Sequence, residues 1–320
     1  MRSTIFSTLT LAAAMLLGAC GDDSLTAPST TRSTAIGPDI AKGGGKGKGV
    51  KPSNRIVYTH KDANGFTDIY SMNPDGGNVV RLTPASGYNG SPRWTADRTK
   101  IVFVSSRAGA ENIFIMNADG SNVVQLTFGG CADRNPAPSP DGTRIVFQRA
   151  CAGGGLFIMN IDGSNPTQHT FNSSHKQPSW SPDGSKIMFA STENAIPGIW
   201  KVNSDSPTFS LVYACGVNPC SNPMYSPDGT KVAFWSSVNE GEIIVASSLV
   251  HDGPILLELA HLGAGSEYAP TWSPDGTKLV FTAGLFGTDV ELYSVNSADG
   301  LGLTKLTSVV GPDAAPSWHR

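Results

Sequence analysis

The chain has 320 residues, a formal net charge of -3 and only 15% charged residues. A balance this close to neutral supplies no global field for nucleic acid or anionic lipid, so partners of those kinds held by bulk charge are excluded. Thirty-six glycines and 22 prolines favour a turn-rich all-β protein over a helical one.

The N-terminus reads as a targeting segment, residues 1–19. Arg2 is a short basic start, and Ile5 to Leu17 is mostly apolar and uncharged, too short to span a bilayer comfortably. It ends in Leu17-Gly18-Ala19-Cys20, a string that resembles the bacterial lipobox. The resemblance implies cleavage before Cys20, acylation of its thiol and anchoring in the cell envelope, stable once two chains are attached. Gly21 follows. In the sorting pattern known from enteric bacteria an Asp there retains a lipoprotein at the inner membrane, so Gly21 points to the outer one.

Residues 21–53 form a linker rich in Ser, Thr, Pro, Gly and Lys, without apolar periodicity. Such a stretch buries too little to order itself and, as a flexible coil, has an r.m.s. reach of roughly 30 Å. Gly43 to Lys48 is not a phosphate-binding loop, because it follows no strand and no Ser or Thr comes after its Gly-Lys. Lys42, Lys46, Lys48 and Lys51 suit weak contact with anionic headgroups.

From Asn54 onward the sequence repeats. One unit is an aromatic residue with Ser-Pro-Asp-Gly, an apolar run, a polar loop, a second apolar run, Asn-x-Asp-Gly, and a short run ending in Leu-Thr. The aromatic position recurs as Trp94, Pro138, Trp180, Tyr225, Trp272 and Trp318, at spacings of 44, 42, 45, 47 and 46. A period of about 40 to 50 residues with four short strands per unit marks a propeller blade. Ser-Pro-Asp-Gly at 139–142, 181–184, 226–229 and 273–276 suits tight turns, since Pro presets one corner and Gly accepts the strained exit. The Asp-Gly turns at 75–76, 119–120 and 162–163 lack the alternating carboxylates and closing Glu of a calcium loop. Runs such as Ile101-Val102-Phe103-Val104 and Ile187-Met188-Phe189 are apolar on both faces, as strands covered on both sides must be. The first unit begins with the second strand of a blade, and Ala315 to Trp318 supplies only a first strand. The C-terminal strand is therefore expected to join the first blade and close an all-β, six-bladed β-propeller over 54–320.

The repeat Pro178-Ser179-Trp180-Ser181-Pro182-Asp183-Gly184 with its Asn-x-Asp-Gly turns resembles the TolB-like β-propeller repeat family. The resemblance covers 54–320 and implies a propeller whose repeats carry no catalysis. TolB itself partners a peptidoglycan-associated lipoprotein. This chain departs from it in showing a 33-residue linker where TolB has an α/β domain, and in carrying its own lipid signal. Similar repeats occur in prolyl-oligopeptidase-type enzymes and oligogalacturonate lyases, yet no Gly-x-Ser-x-Gly is present.

Both turn classes should share one rim, leaving variable loops on the other, where binding residues concentrate. The residues before each innermost strand are expected to ring the channel mouth there. They are Tyr88 and Asn89; Asp133, Arg134 and Asn135; His175, Lys176 and Gln177; Asn222; Glu267 and Tyr268; and Asp313. Their mix of charge, amide and aromatic suits a protein, peptide or glycan partner. Asp133, Glu267 and Asp313 are the carboxylates placed to converge on the channel. The six histidines do not have metal-ligand spacing, and no cofactor is implied. Cys131, Cys151, Cys215 and Cys220 make an even set for an oxidising compartment. A 131–151 pairing is geometrically sensible, and Cys215 and Cys220 flank a four-residue gap. The reading is a monomeric, lipid-anchored, non-catalytic envelope scaffold. The alternatives are a polysaccharide lyase or hydrolase at the channel mouth, using His175 or Glu267, and a Tol–Pal-like envelope component.

Overall fold

The computed structural model describes residues 54–84, 87–237, 241–249, 255–259, 268–284, 290–308 and 310–318. The expected signal segment, Cys20, the linker, Glu267 and the side chain of Tyr268 lie outside the described residues. In chain order the strands are β1 (Ile56–Lys61), β2 (Thr67–Met72) and β3 (Val80–Arg81), followed by β4 (Asn89–Trp94), β5 (Lys100–Ser105), β6 (Asn112–Asn117) and β7 (Val124–Gln125). Next come β8 (Ala132–Pro138), β9 (Arg144–Ala150), β10 (Gly155–Asn160) and β11 (Thr167–Gln168), then β12 (Lys176–Trp180), β13 (Lys186–Ser191), β14 (Gly198–Asn203) and β15 (Phe209–Ala214). The series ends with β16 (Cys220–Tyr225), β17 (Lys231–Ser236), β18 (Glu242–Ser247) and β19 (Ile255–Leu259), and β20 (Tyr268–Trp272), β21 (Lys278–Ala283), β22 (Glu291–Asn296), β23 (Thr304–Lys305) and β24 (Asp313–Trp318).

These strands pair into six four-stranded sheets, one of them ordered β24-β1-β2-β3. The molecule is thus the six-bladed β-propeller that the repeat implied, with the late strand β24 completing the first blade. The seam is antiparallel, Ile56 opposite Trp318 and His60 opposite Asp313. Side chains reinforce it. Thr59 Oγ1 donates to the Ala314 carbonyl at 2.9 Å, and Trp318 Nε1 donates to Asn54 Oδ1 at 2.7 Å.

The core is divided among the blade interfaces. Ile101 and Phe103 of β5 pack with Val57 and Ile69 of the preceding blade. Val102 and Val104 pack with Ile145 and Phe147 of the following one. Successive strand residues point to opposite faces, so one strand feeds two cores and has no wet side. The same pattern around the ring gives six clusters. The seam has its own, in which Ile56, Tyr58 and Trp318 meet Val280 and Leu292. Indole groups pin neighbouring blades as well. Trp94 donates to Arg55 O, Trp180 to Ala137 O and Trp272 to Met224 O, at 2.9–3.1 Å.

Each innermost strand has the same irregularity. Ser91, Asn135, Gln177, Asn222, Ala269 and Ala315 have φ between 49° and 54°, and every one precedes a proline. Proline has no N–H to give to a ladder and is tolerated in a strand at a bulge. All six innermost strands shift register at this point.

Candidate functional site

The antiparallel order puts the turn after each innermost strand and the turn after each third strand at one end of the blade. On that rim the turn carboxylates are tied up locally. Asp97, Asp141, Asp183, Asp228 and Asp275 each accept a Ser or Thr hydroxyl two residues back, at 2.5–2.7 Å. Each also accepts a backbone N–H two residues on, at 3.0–3.1 Å. Bonding to the ionised form holds these carboxyls below their ordinary range. Asp183, through Ser181 first, is brought down to about 2.

The opposite rim carries the variable loops, and the structure sorts the expected binding residues into two groups. Asn89, Asp133, His175 and Asp313 are all buried. The Asn89 amide donates to Asp68 Oδ1 at 2.9 Å, and its oxygen accepts from Ser105 and Arg107, both at 2.8 Å. Asp133 takes a two-pronged grip from Arg149, at 2.7 and 2.8 Å. Asp313 meets His60 Nδ1 at 2.8 Å. That bond holds the His60 imidazole above its ordinary value, against the opposing pull of burial. These four were expected at an open channel mouth. They are instead closed in, because the ends of the second strands and the adjoining loops converge on the start of each innermost strand. Asp133 and Asp313 are each paired with a cationic or protonatable side chain of their own blade, so neither is a free acid at the channel.

His175 is the exception in chemistry. Its Nε2 meets Glu193 Oε2 at 2.6 Å, and Asn172 Nδ2 donates to the same oxygen at 2.9 Å. Burial outweighs Glu193 and pushes the imidazole below its ordinary value. Its Nδ1 is buried and has no hydrogen-bond partner among the described residues. Phe189 and Phe209 pack against it, with centroids at 4.5 and 5.5 Å. A cavity of about 440 Å3 beside it is lined by Phe171, Asn172, His175, Glu193 and Phe209, among others.

Arg134 and Lys176 are exposed, the first paired with Glu111 of the preceding blade. Asn222 is half-buried, and its backbone N–H donates to Gln177 Oε1 at 3.0 Å. One feature escaped the sequence reading. Phe128 (74% exposed), Phe171 (76%), Val217 (94%) and Val310 (78%) are the most exposed large apolar side chains among the described residues. Each lies in a loop leading into an innermost strand. A residue-type pattern for them is faint, since only Thr127-Phe128 and Thr170-Phe171 repeat. The same rim holds both disulfides, Cys131–Cys151 with Cα atoms 5.5 Å apart and Cys215–Cys220 at 6.1 Å. Among the described residues no group of three or more His, Cys, Asp or Glu is placed to hold a metal ion.

Six blades closed by a terminal strand, with variable loops on one rim, define a propeller of the loop-presenting kind. The chain belongs to the TolB β-propeller domain family, whose model matches residues 49–208. Among solved structures it is similar to TolB from Acinetobacter baumannii, with a TM-score of 0.72 and 21% identity, covering 83% of this chain and 66% of that one. It thus spans just under two thirds of that TolB. A chain of a nidogen/laminin complex has a TM-score of 0.65 at 8% identity, with 83% and 98% covered. An oligogalacturonate lyase in complex with manganese has 0.55 at 14%, with 78% of each covered. At these identities the likeness is one of fold. Among curated proteins none matches the sequence.

Proposed function

We propose that this protein is a lipid-tethered, non-catalytic scaffold of the cell envelope that docks a protein partner on its variable rim. The observation that carries the reading is the set of apolar side chains, Phe128, Phe171, Val217 and Val310, left bare on four loops of one rim. Exposed apolar groups flanked by polar ones mark protein contact surfaces. Arg134 and Lys176 stand on the same rim as the polar border. The propeller found in a nidogen/laminin complex supports such use of the fold. Anchoring through Cys20, with Gly21 directing the protein to the outer membrane, completes the proposal.

Crosslinking in intact envelopes followed by capture of the full chain tests it. A discrete partner should be retained by the wild type and lost from Phe128→Ser/Phe171→Ser and from Arg134→Glu/Lys176→Glu. Capture that is indifferent to both variants overturns the rim assignment.

A second reading rests on the His175–Glu193 cavity beside the exposed ring of Phe171, a size suited to a sugar unit. It expects turnover of a glycan panel that falls when His175 is changed to Ala. No turnover by the wild type removes it.

A further inference from the structure

The six prolines that follow the bulges put six equivalent residues, the next in sequence, around the axis of the propeller. They are Arg93, Ala137, Ser179, Met224, Thr271 and Ser317, one from each blade, and all line a single cavity of about 210 Å3. Five are neutral. Turn residues Ala96 and Pro140 also line the cavity, so it reaches toward the turn rim, opposite the variable loops.

Arg93 is out of keeping with this ring. Its Nη1 makes two long bonds, 3.3 Å each, to the Pro92 and Pro316 carbonyls. Among the described residues no carboxylate pairs with it, and neither Nε nor Nη2 has a hydrogen bond. Desolvation, with no neighbouring negative charge to oppose it, pushes the guanidinium down to about 10. Arg93 is half-buried, and a guanidinium that lines a cavity with no carboxylate to match it is poised to take an anion. A second, independent sign stands two blades further round the ring. The Ser179 side chain is more than nine-tenths buried, and its Oγ has no hydrogen-bond partner among the described residues. The channel thus holds a planar fork of donors and an idle hydroxyl within walls of Pro138, Pro178 and Met224.

We infer that the axial cavity is a binding site for a carboxylate, held by the Arg93 fork and the Ser179 hydroxyl, with an apolar group against Met224 and Ala137. The guanidinium fork matches a carboxylate through two parallel bonds, which a point charge such as Lys does not. The cavity is too small for a drug-sized molecule. It suits a free short-chain or aromatic acid, or the C-terminal carboxylate of a peptide inserted end-on. The site is separate from the rim in the proposed function and stands whether or not that reading holds.

Calorimetric titration of the full chain in detergent tests the site. The probes are butyrate, benzoate, inorganic phosphate, and a short apolar peptide with either a free or an amidated C-terminus. Saturable binding of at least one carboxylate is expected, weakened at least about tenfold in Arg93→Met and also weakened in Arg93→Lys. The free-ended peptide binding while its amide does not selects the peptide source. Butyrate or benzoate binding without the peptide selects the free acid. Because Arg93 makes only two long bonds to carbonyls, Arg93→Met should fold and melt no lower than the wild type. Absence of saturable binding by every carboxylate overturns the inference. So does unchanged affinity in a folded Arg93→Met, or binding of phosphate alone.

Discussion

At the scale of single residues, the buried polar groups of the variable rim act as ties, and one of them makes stability depend on pH. His60 is held above its ordinary value of 6.5 by Asp313. A histidine with a raised folded value binds its proton more tightly in the native state than in the unfolded one. Its contribution is complete below the unfolded value and is lost as pH rises through the folded one. The melting temperature of the wild type should therefore exceed that of His60→Gln most clearly below pH 6.5, with the gap shrinking on the alkaline side. A gap that widens with pH contradicts the assignment, which thermal melts across a pH series decide. Gly163 is a second point of dependence. Its φ is +87°, and a Cβ built there would lie 2.8 Å from the Leu126 carbonyl of the preceding blade. Gly163→Ala should lower stability by about 1–2 kcal/mol from the left-handed conformation alone, measurable by urea unfolding.

At the scale of elements, the blade was largely legible in the sequence and the rim was not. Ser-Pro-Asp-Gly specifies a turn through local chemistry. The Asp carboxylate takes bonds from residues two before and two after it, so the whole motif is contained in five consecutive residues. Such a turn should weaken in acid. A depressed carboxyl contributes above the unfolded value of 3.8 and loses that contribution as pH falls toward about 2 for Asp183, so Asp183→Asn should flatten the acid limb of the stability profile. Rim residues depend on partners far away in sequence. Asn89 bonds Asp68 and Asp313 bonds His60, the second across a separation no local pattern reveals. Their polarity suggested a mouth open to ligand, whereas the fold uses it to satisfy buried groups. Arg93 was missed for a related reason. The recurring x-Pro-x-aromatic string draws attention to the residue before each proline, while the one after it faces the channel. A single charge among six equivalent positions is the signal that finds it. The two disulfides brace loops of this rim. Removing the Cys131–Cys151 bridge, as Cys131→Ser/Cys151→Ser, should cost about 2–4 kcal/mol, read from denaturant midpoints.

At the scale of the whole molecule, stability is distributed over six interfaces of similar construction, and the seam is held by the same means as the others. Phe103, fully buried between two blades, is a fair probe of an ordinary interface, and Phe103→Ala should cost about 3–5 kcal/mol. Deleting residues 313–318 removes a strand, the Trp318 anchor and one side of the seam cluster together. It should lower the melting temperature far more than Phe103→Ala does and leave β1 with an unpaired edge. An unchanged melt would show that the ring does not need its strap.

The pairing of β1 with β24 also has a consequence in time. A chain emerging from the ribosome delivers β1 first of the described strands and its partner β24 last. Throughout synthesis the nascent ring has a gap, and a naked strand flanks it until residue 318 has emerged. The interval of greatest vulnerability to proteases and to mispairing with another copy is therefore the synthesis itself. An escort that shields strand edges would serve this protein more while it is being made than afterwards.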